Sequence, residues 1–243
     1  MRRSISAEWL KLRHSRIGLV LVTLPVISLL IGSVNYAFNR GVLVNGWYSL
    51  WTQVSLFYGE FFLPILVAIL CAYVCRLEHL NRNWNMVLTA PVSVASIFAA
   101  KWFTVGLLIL FAQALFLGLY WVAGLLLSMP GPFPPETIGW AMRGWYACLA
   151  ISAFQLGLSL RIRSFAVPVG IALVAVLIGL GLYVAKLGLF FPYSLLTIGM
   201  HALSQDKLDP LQNALFWIMN SAYGMLFAFW SIRGLKDRDV KTA

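Results

Sequence analysis

Long stretches without a charged residue alternate along the chain with short basic segments. Ile17–Asn39 runs for 23 residues, Trp102–Pro135 for 34, Gly144–Leu160 for 17, Ser164–Ala185 for 22 and Pro210–Ile232 for 23. Gly41–Cys75 is interrupted only by Glu60. A helix needs about 20 apolar residues to cross a bilayer. Barrel strands would alternate apolar and polar positions over about ten residues, whereas these runs are apolar on every side. The pattern predicts an all-α polytopic membrane protein with six transmembrane helices, over about 17–38, 54–75, 103–127, 144–160, 165–186 and 211–232.

The segment 187–205 is also uncharged, but Phe190-Phe191-Pro192, Gly199 and His201 leave it only a short apolar core. A seventh span would also put the two basic termini on opposite faces. The reading is therefore a re-entrant or interfacial hairpin on the outer side, before the last span. The chain 1–243 then reads as one transmembrane domain, with 4–16, 77–91 and 187–205 as its non-spanning parts. Four prolines between Pro130 and Pro135 exclude helix there, so 128–143 is expected to be a stiff outer connection.

Composition agrees. Hydrophobic residues make up 61% and charged residues 11%, against roughly 25% charged in a globular domain, and the mean hydropathy is +0.84. A soluble enzyme, a disordered tail and a coiled coil are excluded. The net charge of +10 then becomes a matter of topology. With the N-terminus inside, the cytoplasmic segments hold all but four of the 18 Lys and Arg; the exceptions are Arg40, Arg143, Lys186 and Lys207. Positive residues favour the cytoplasmic side, so both termini are expected there, in a bacterial inner (plasma) membrane. The same charge suits lipid headgroups, and no nucleic-acid partner is expected. Arg2-Arg3 opens a basic flank that continues to Arg16. The apolar run after it exceeds the 7–15 residues of a signal-peptide core, so an uncleaved first span is expected.

Two non-spanning segments carry patterns of their own. Over 4–16, Ile5, Trp9 and Leu12 share one helical face while Glu8, Lys11 and Ser15 share the other, which predicts an interfacial helix. In the loop between spans two and three, Trp84, Val87 and Leu88 give a two-turn helix an apolar edge that Pro91 ends. That is either a docking element for a soluble partner or a loop helix lying on the membrane. Lys101 is expected near the inner interface.

The chain has no Gly-Lys pair and hence no P-loop to cradle a nucleotide. It has no HExxH or GxSxG. His14, His79 and His201 fall in three separate segments, and Cys71, Cys75 and Cys148 fall inside spans without metal-ligand spacing. No catalytic residue, metal site or cofactor site of its own is expected. Glu60 is the one acid within a predicted span. A carboxylate at the bilayer centre costs about 2.5–3.5 kcal/mol on insertion scales, which makes Glu60 a functional candidate. Its place toward the outer end of the span makes interfacial exposure the plainer reading. Gln53, Gln113 and Gln155 offer either an interior polar lining or interhelical hydrogen bonds. With so few polar groups in the spans, an amphiphile is a better cargo than a small hydrophilic solute.

Glu78, Trp84, Leu88-Thr-Ala-Pro91 and Lys101 resemble the E-x5-W-x3-L-x2-P…K stretch of ABC-2 type permeases, most of all the lantibiotic self-protection (immunity) permeases. Glu8-Trp9-Leu10-Lys11 is similar to their E-x-x-K opening. The resemblance implies a permease subunit, not an enzyme, that pairs with a second copy or a related permease. It implies a separate ABC ATP-binding subunit that carries the ATP and docks on a cytoplasmic coupling segment. Glu78, Arg82, Trp84, Val87, Leu88 and Pro91 would form that segment. The implied cargo is an amphiphilic, lantibiotic-like antimicrobial peptide expelled from the membrane. A permease for another hydrophobic cargo (lipid, drug or polysaccharide) and a membrane assembly factor without an ATPase stay open.

Overall fold

A computed structural model describes residues 2–13, 15–80, 92–204 and 206–239, and every regular element among them is helical. The order is α1 (Arg2–Arg13), α2 (Ile17–Phe38), α3 (Trp47–Ser55), a π-helical segment (Leu56–Phe62) and α4 (Leu63–Leu80). Then come α5 (Val94–Leu126), α6 (Glu136–Arg161), α7 (Ala166–Val184), a 3-10 turn (Gly188–Phe190), α8 (Pro192–Gly199) and α9 (Pro210–Asp239).

The first span and α7 lie where the apolar runs predict them. The others begin or end outside the apolar runs, because local chemistry sets helix ends while hydropathy reports only what lipid tolerates. Ser93, extended at φ −66° and ψ 144°, caps α5, and its Oγ accepts the Ser96 N–H at 3.3 Å. The helix therefore starts at Val94, ahead of the apolar stretch at 103, and Lys101 is a helical residue. α6 starts at Glu136, inside the expected loop 128–143. Proline rings pre-set a helical φ at the entry, Thr137 Oγ1 donates to Pro134 O at 2.7 Å, and Glu136 lies in the first turn, where a carboxylate suits the helix dipole. Only the proline-rich stretch before it stays irregular.

Among the described residues, five helical stretches are long and apolar enough to cross a membrane: Ile17–Phe38, Trp47–Arg76, Val94–Leu126, Ala166–Val184 and Pro210–Leu235. The 26-residue α6 is longer than some of these but more polar. Its position explains its composition. It packs against α4, α5, α8 and α9, and its polar side chains bond to those neighbours. Trp145 Nε1 donates to Gly106 O at 2.9 Å, Arg143 Nη2 to Asn213 Oδ1 at 2.7 Å and Gln155 Nε2 to Tyr193 OH at 2.7 Å. By contrast, only 17% of the most apolar window of α9 and 28% of that of α7 is buried, so those helices turn their apolar surface outward.

The bundle has two distinct ends. At one, α1 packs on α5 and His79 Nε2 lies 2.7 Å from Ser159 O, bringing the ends of α4 and α6 together. At the far end an aromatic cluster of Trp47, Trp51, Phe116, Tyr120 and Phe133 ties the proline-rich loop to the bundle. Tyr120 OH donates to Trp47 O at 2.7 Å, and Trp47 Nε1 to Gly131 O at 3.3 Å. The described part of the segment 187–205, residues 187–204, is built around α8, whose Pro192–Thr197 face is buried against α6, α7, α9 and the π segment.

Candidate functional site

At the α1 end, four charged side chains from three helices meet. Glu8 and Lys11 come from α1, one turn apart; Glu78 comes from the last turn of α4, and Lys101 from the second turn of α5. Lys101 Nζ lies 2.6 Å from Glu78 Oε1, 3.1 Å from each Glu8 oxygen and 3.0 Å from Val74 O. Lys11 Nζ lies 2.8 Å from Glu8 Oε1 and 2.7 Å from Glu78 Oε1. Each carboxylate thus touches both ammonium groups, and the quartet is neutral. Lys101 is fully buried, Glu78 is 2% exposed and Glu8 7%, while the Lys11 side chain keeps a third of its surface in solvent.

Lys101 lies at the end of the bundle that carries α1, but it is buried there. The Glu8/Lys11 face of α1, the polar face of its pattern, turns inward, while Trp9 remains exposed, as suits an interfacial helix that meets lipid. The cause is charge pairing. A lone buried ammonium would be costly, and two carboxylates from separate helices offset that cost only when α1 packs with its polar face inward.

Burial alone would raise the Glu78 carboxyl, but the Lys101 ammonium beside it, helped by Lys11, holds it below its ordinary value. It is therefore a carboxylate at neutral pH. Its Oε2 is buried and has no hydrogen-bond partner among the described residues. Two residues after Glu78 the chain leaves α4 for the loop. Arg82, Trp84, Val87, Leu88 and Pro91 lie outside the described residues.

The intramembrane candidates sit elsewhere. Glu60 is only 3% exposed, so interfacial exposure is the wrong reading. It lies in the π segment, and its Oε2 accepts the Thr197 hydroxyl of α8 at 2.5 Å. Gln113 Nε2 donates to Ala141 O at 2.9 Å and lies 3.3 Å from Met200 Sδ. Gln155 bonds Tyr193 at the other end of α8. Glu60, Gln113 and Gln155 do not form one cluster; each grips a different residue of the same short segment. Trp51 Nε1 adds a bond to Met200 O at 3.0 Å, and Ser194 Oγ one to Gly179 O at 2.7 Å. Gly144 permits the packing, since a Cβ there would overlap the Met200 thioether. Sequence reasoning missed Tyr193, Thr197 and Met200. Ordinary residue types carry these roles, and only the polar grip on a buried segment reveals them.

The family model described as ABC-2 family transporter protein matches residues 4–179. No curated protein matches the sequence. The matched region contains Glu8, Lys11, Glu78 and Lys101, together with Glu60, Gln113 and Gln155, and stops within α7.

Proposed function

The chain belongs to the ABC-2 family of transporter proteins, and from that premise we propose that it is the permease half of an ABC exporter for amphiphilic cargo held in the membrane. A lantibiotic-like antimicrobial peptide is the cargo class that its closest motif resemblance favours. It is a multi-pass membrane protein and a transport subunit, and families of this kind work with an ATP-binding subunit. In this reading ATP is bound and hydrolysed on that separate subunit, and two permease copies, or this chain and a related permease, complete the transport unit. The membrane is the bacterial inner membrane, with six crossings and both termini in the cytoplasm. The segment 187–205 re-enters from the outside.

The buried quartet carries this reading. Ion pairs sealed from solvent contribute little net stability, because desolvation opposes their attraction. What they supply is a fixed geometry. Here they pin α1, α4 and α5 together at the root of 77–91, so a push on that loop reaches three helices at once. A permease without a P-loop must receive the work of ATP hydrolysis through such a contact. The Trp84, Val87 and Leu88 edge is the apolar anchor for the ATPase, and Arg82 sets orientation.

The test pairs two variants in the permease–ATPase complex. Trp84→Ala should lose about 2 kcal/mol or more of docking, as buried interface aromatics do, and the ATPase subunit should be lost on pull-down. Glu78→Gln should retain the subunit but hydrolyse ATP without exporting peptide. Normal subunit retention together with normal peptide resistance in Trp84→Ala cells would sink the coupling assignment.

A further inference from the structure

Between α6, α7 and α9 lies an apolar cleft of about 700 Å³ that opens sideways from the bundle. Phe154 of α6, Gly170, Val174 and Ile178 of α7, and Phe227 of α9 form its walls, and Phe191–Tyr193 closes its upper end. Val174 and Ile178 remain exposed along the opening. The two hydroxyls on its border are already engaged: Tyr193 OH accepts from Gln155 Nε2 at 2.7 Å, and Tyr223 OH donates to Phe190 O at 2.6 Å. The lining therefore has little to offer a polar ligand and suits hydrocarbon.

Its dimensions narrow the choice further. The α7 wall runs from Val167 to Ile178, about 16 Å at 1.5 Å per residue. That is about half the ~30 Å hydrocarbon core of a bilayer, the depth of one leaflet. The cleft starts near the bundle's middle, under the tip of α8, and descends to the end that carries α1. There the chain turns into α7 through the exposed Arg163, four residues before Val167 of the lining and with the charge a phosphate needs. Gly170 leaves the cleft open, since a Cβ there would meet nothing within 4 Å.

We propose that this cleft is a binding site for one acyl chain of a membrane phospholipid, drawn from the leaflet on the α1 side, with the phosphate near Arg163. The proposal rests on membrane embedding alone and not on the ATPase or cargo reading.

The test uses the purified full chain in phosphatidylglycerol vesicles doped with a phospholipid carrying a diazirine in mid-chain. Labelled peptides are mapped after illumination. Residues 170–178 should label severalfold more than the outward face of α2 around Leu30 and Val34, which is also exposed. Gly170→Leu should lower cleft labelling severalfold and leave α2 unchanged. Leucine is also the better helix former, and Val174→Phe, from an exposed position, should give the same loss. Gly181→Leu, on α7 outside the cleft and also with open space at its Cβ, should change nothing. Equal labelling of the cleft and α2 would mean ordinary annular lipid and would overturn the site. So would a cleft protected below the α2 level, which would show that a second copy of the chain covers it, or a cleft signal indifferent to Gly170→Leu. No ATP or partner subunit is present, so a negative result leaves the exporter reading standing.

Discussion

An ammonium sealed from solvent at position 101 persists only because Glu8 and Glu78 reach it from separate helices. Removing one member of such a set leaves uncompensated buried charge, which costs about 3–5 kcal/mol. Lys101→Met should therefore lower the thermal midpoint of the detergent-purified chain sharply. Lys101→Met combined with Glu78→Leu should recover most of the loss, because an ion pair replaced on both sides by apolar groups is near neutral. A double variant as unstable as the single one would contradict the pairing. Acid provides a second check. Glu78 is held below the ordinary value of 4.5, so its contribution is fully present above that pH and is lost as pH falls through its lowered folded value. The gap in thermal midpoint between wild type and Glu78→Gln should stay constant from neutral pH to about 4.5 and close below it; a gap already closing at pH 6 would refute the assignment. The four residues were all visible in the sequence, and all four stood in recognisable motifs. Their meeting was not, because the partners are 23, 67 and 93 residues apart. A basic residue beside a span also reads as headgroup-facing until its partners are known.

At the level of elements, apolar runs predict where hydrocarbon surrounds the chain but not where helices end. Ser93 and the Pro134-Pro135 pair extend α5 and α6 past their apolar runs, and both signals are local chemistry that a hydropathy window averages away. The π segment has no sequence signature at all. Such a bulge widens one turn and often marks a functional position, and here it is the turn that carries Glu60 to Thr197. The hydroxyl of Thr197 is the carboxylate's hydrogen-bond donor. Thr197→Val keeps the shape and removes the donor, leaving a buried oxygen unsatisfied at a cost of about 1–3 kcal/mol. Thr197→Ser restores the donor and should be close to wild type. Thermal melts of the two variants side by side give the answer, and equal midpoints would mean that Glu60 does not depend on α8. The segment 187–205 was legible as something other than a span from Pro192, Gly199 and His201. Its burial was not, because that depends on polar grips from α3, α5, α6 and the π segment.

For the whole molecule the number of crossings decides which ends share a compartment. Five helical stretches among the described residues meet the criterion of length and apolarity, and five crossings would separate the termini. The sixth candidate, α6, reaches from one end of the bundle to the other. Tyr48 OH stands 3.4 Å from Glu136 Oε2 at its start, and His79 Nε2 stands 2.7 Å from Ser159 O near its finish. Tyr48 stands in the first turn of α3 and His79 in the last turn of α4, so α6 runs alongside that whole stretch in the opposite sense. Its polar side chains do not oppose this, since they bond to neighbouring helices and not to lipid. Both termini are therefore expected on one side and the proline-rich loop on the other. Cys71, Cys75 and Cys148 are buried, so an introduced cysteine dominates labelling by a membrane-impermeant maleimide. Ser128→Cys should label in intact cells. Ser6→Cys and Thr242→Cys should label only after permeabilisation, as the excess of Lys and Arg on those segments requires. Labelling of Thr242→Cys in intact cells while Ser6→Cys stays protected would mean five crossings, with α6 held inside the bundle without spanning the bilayer.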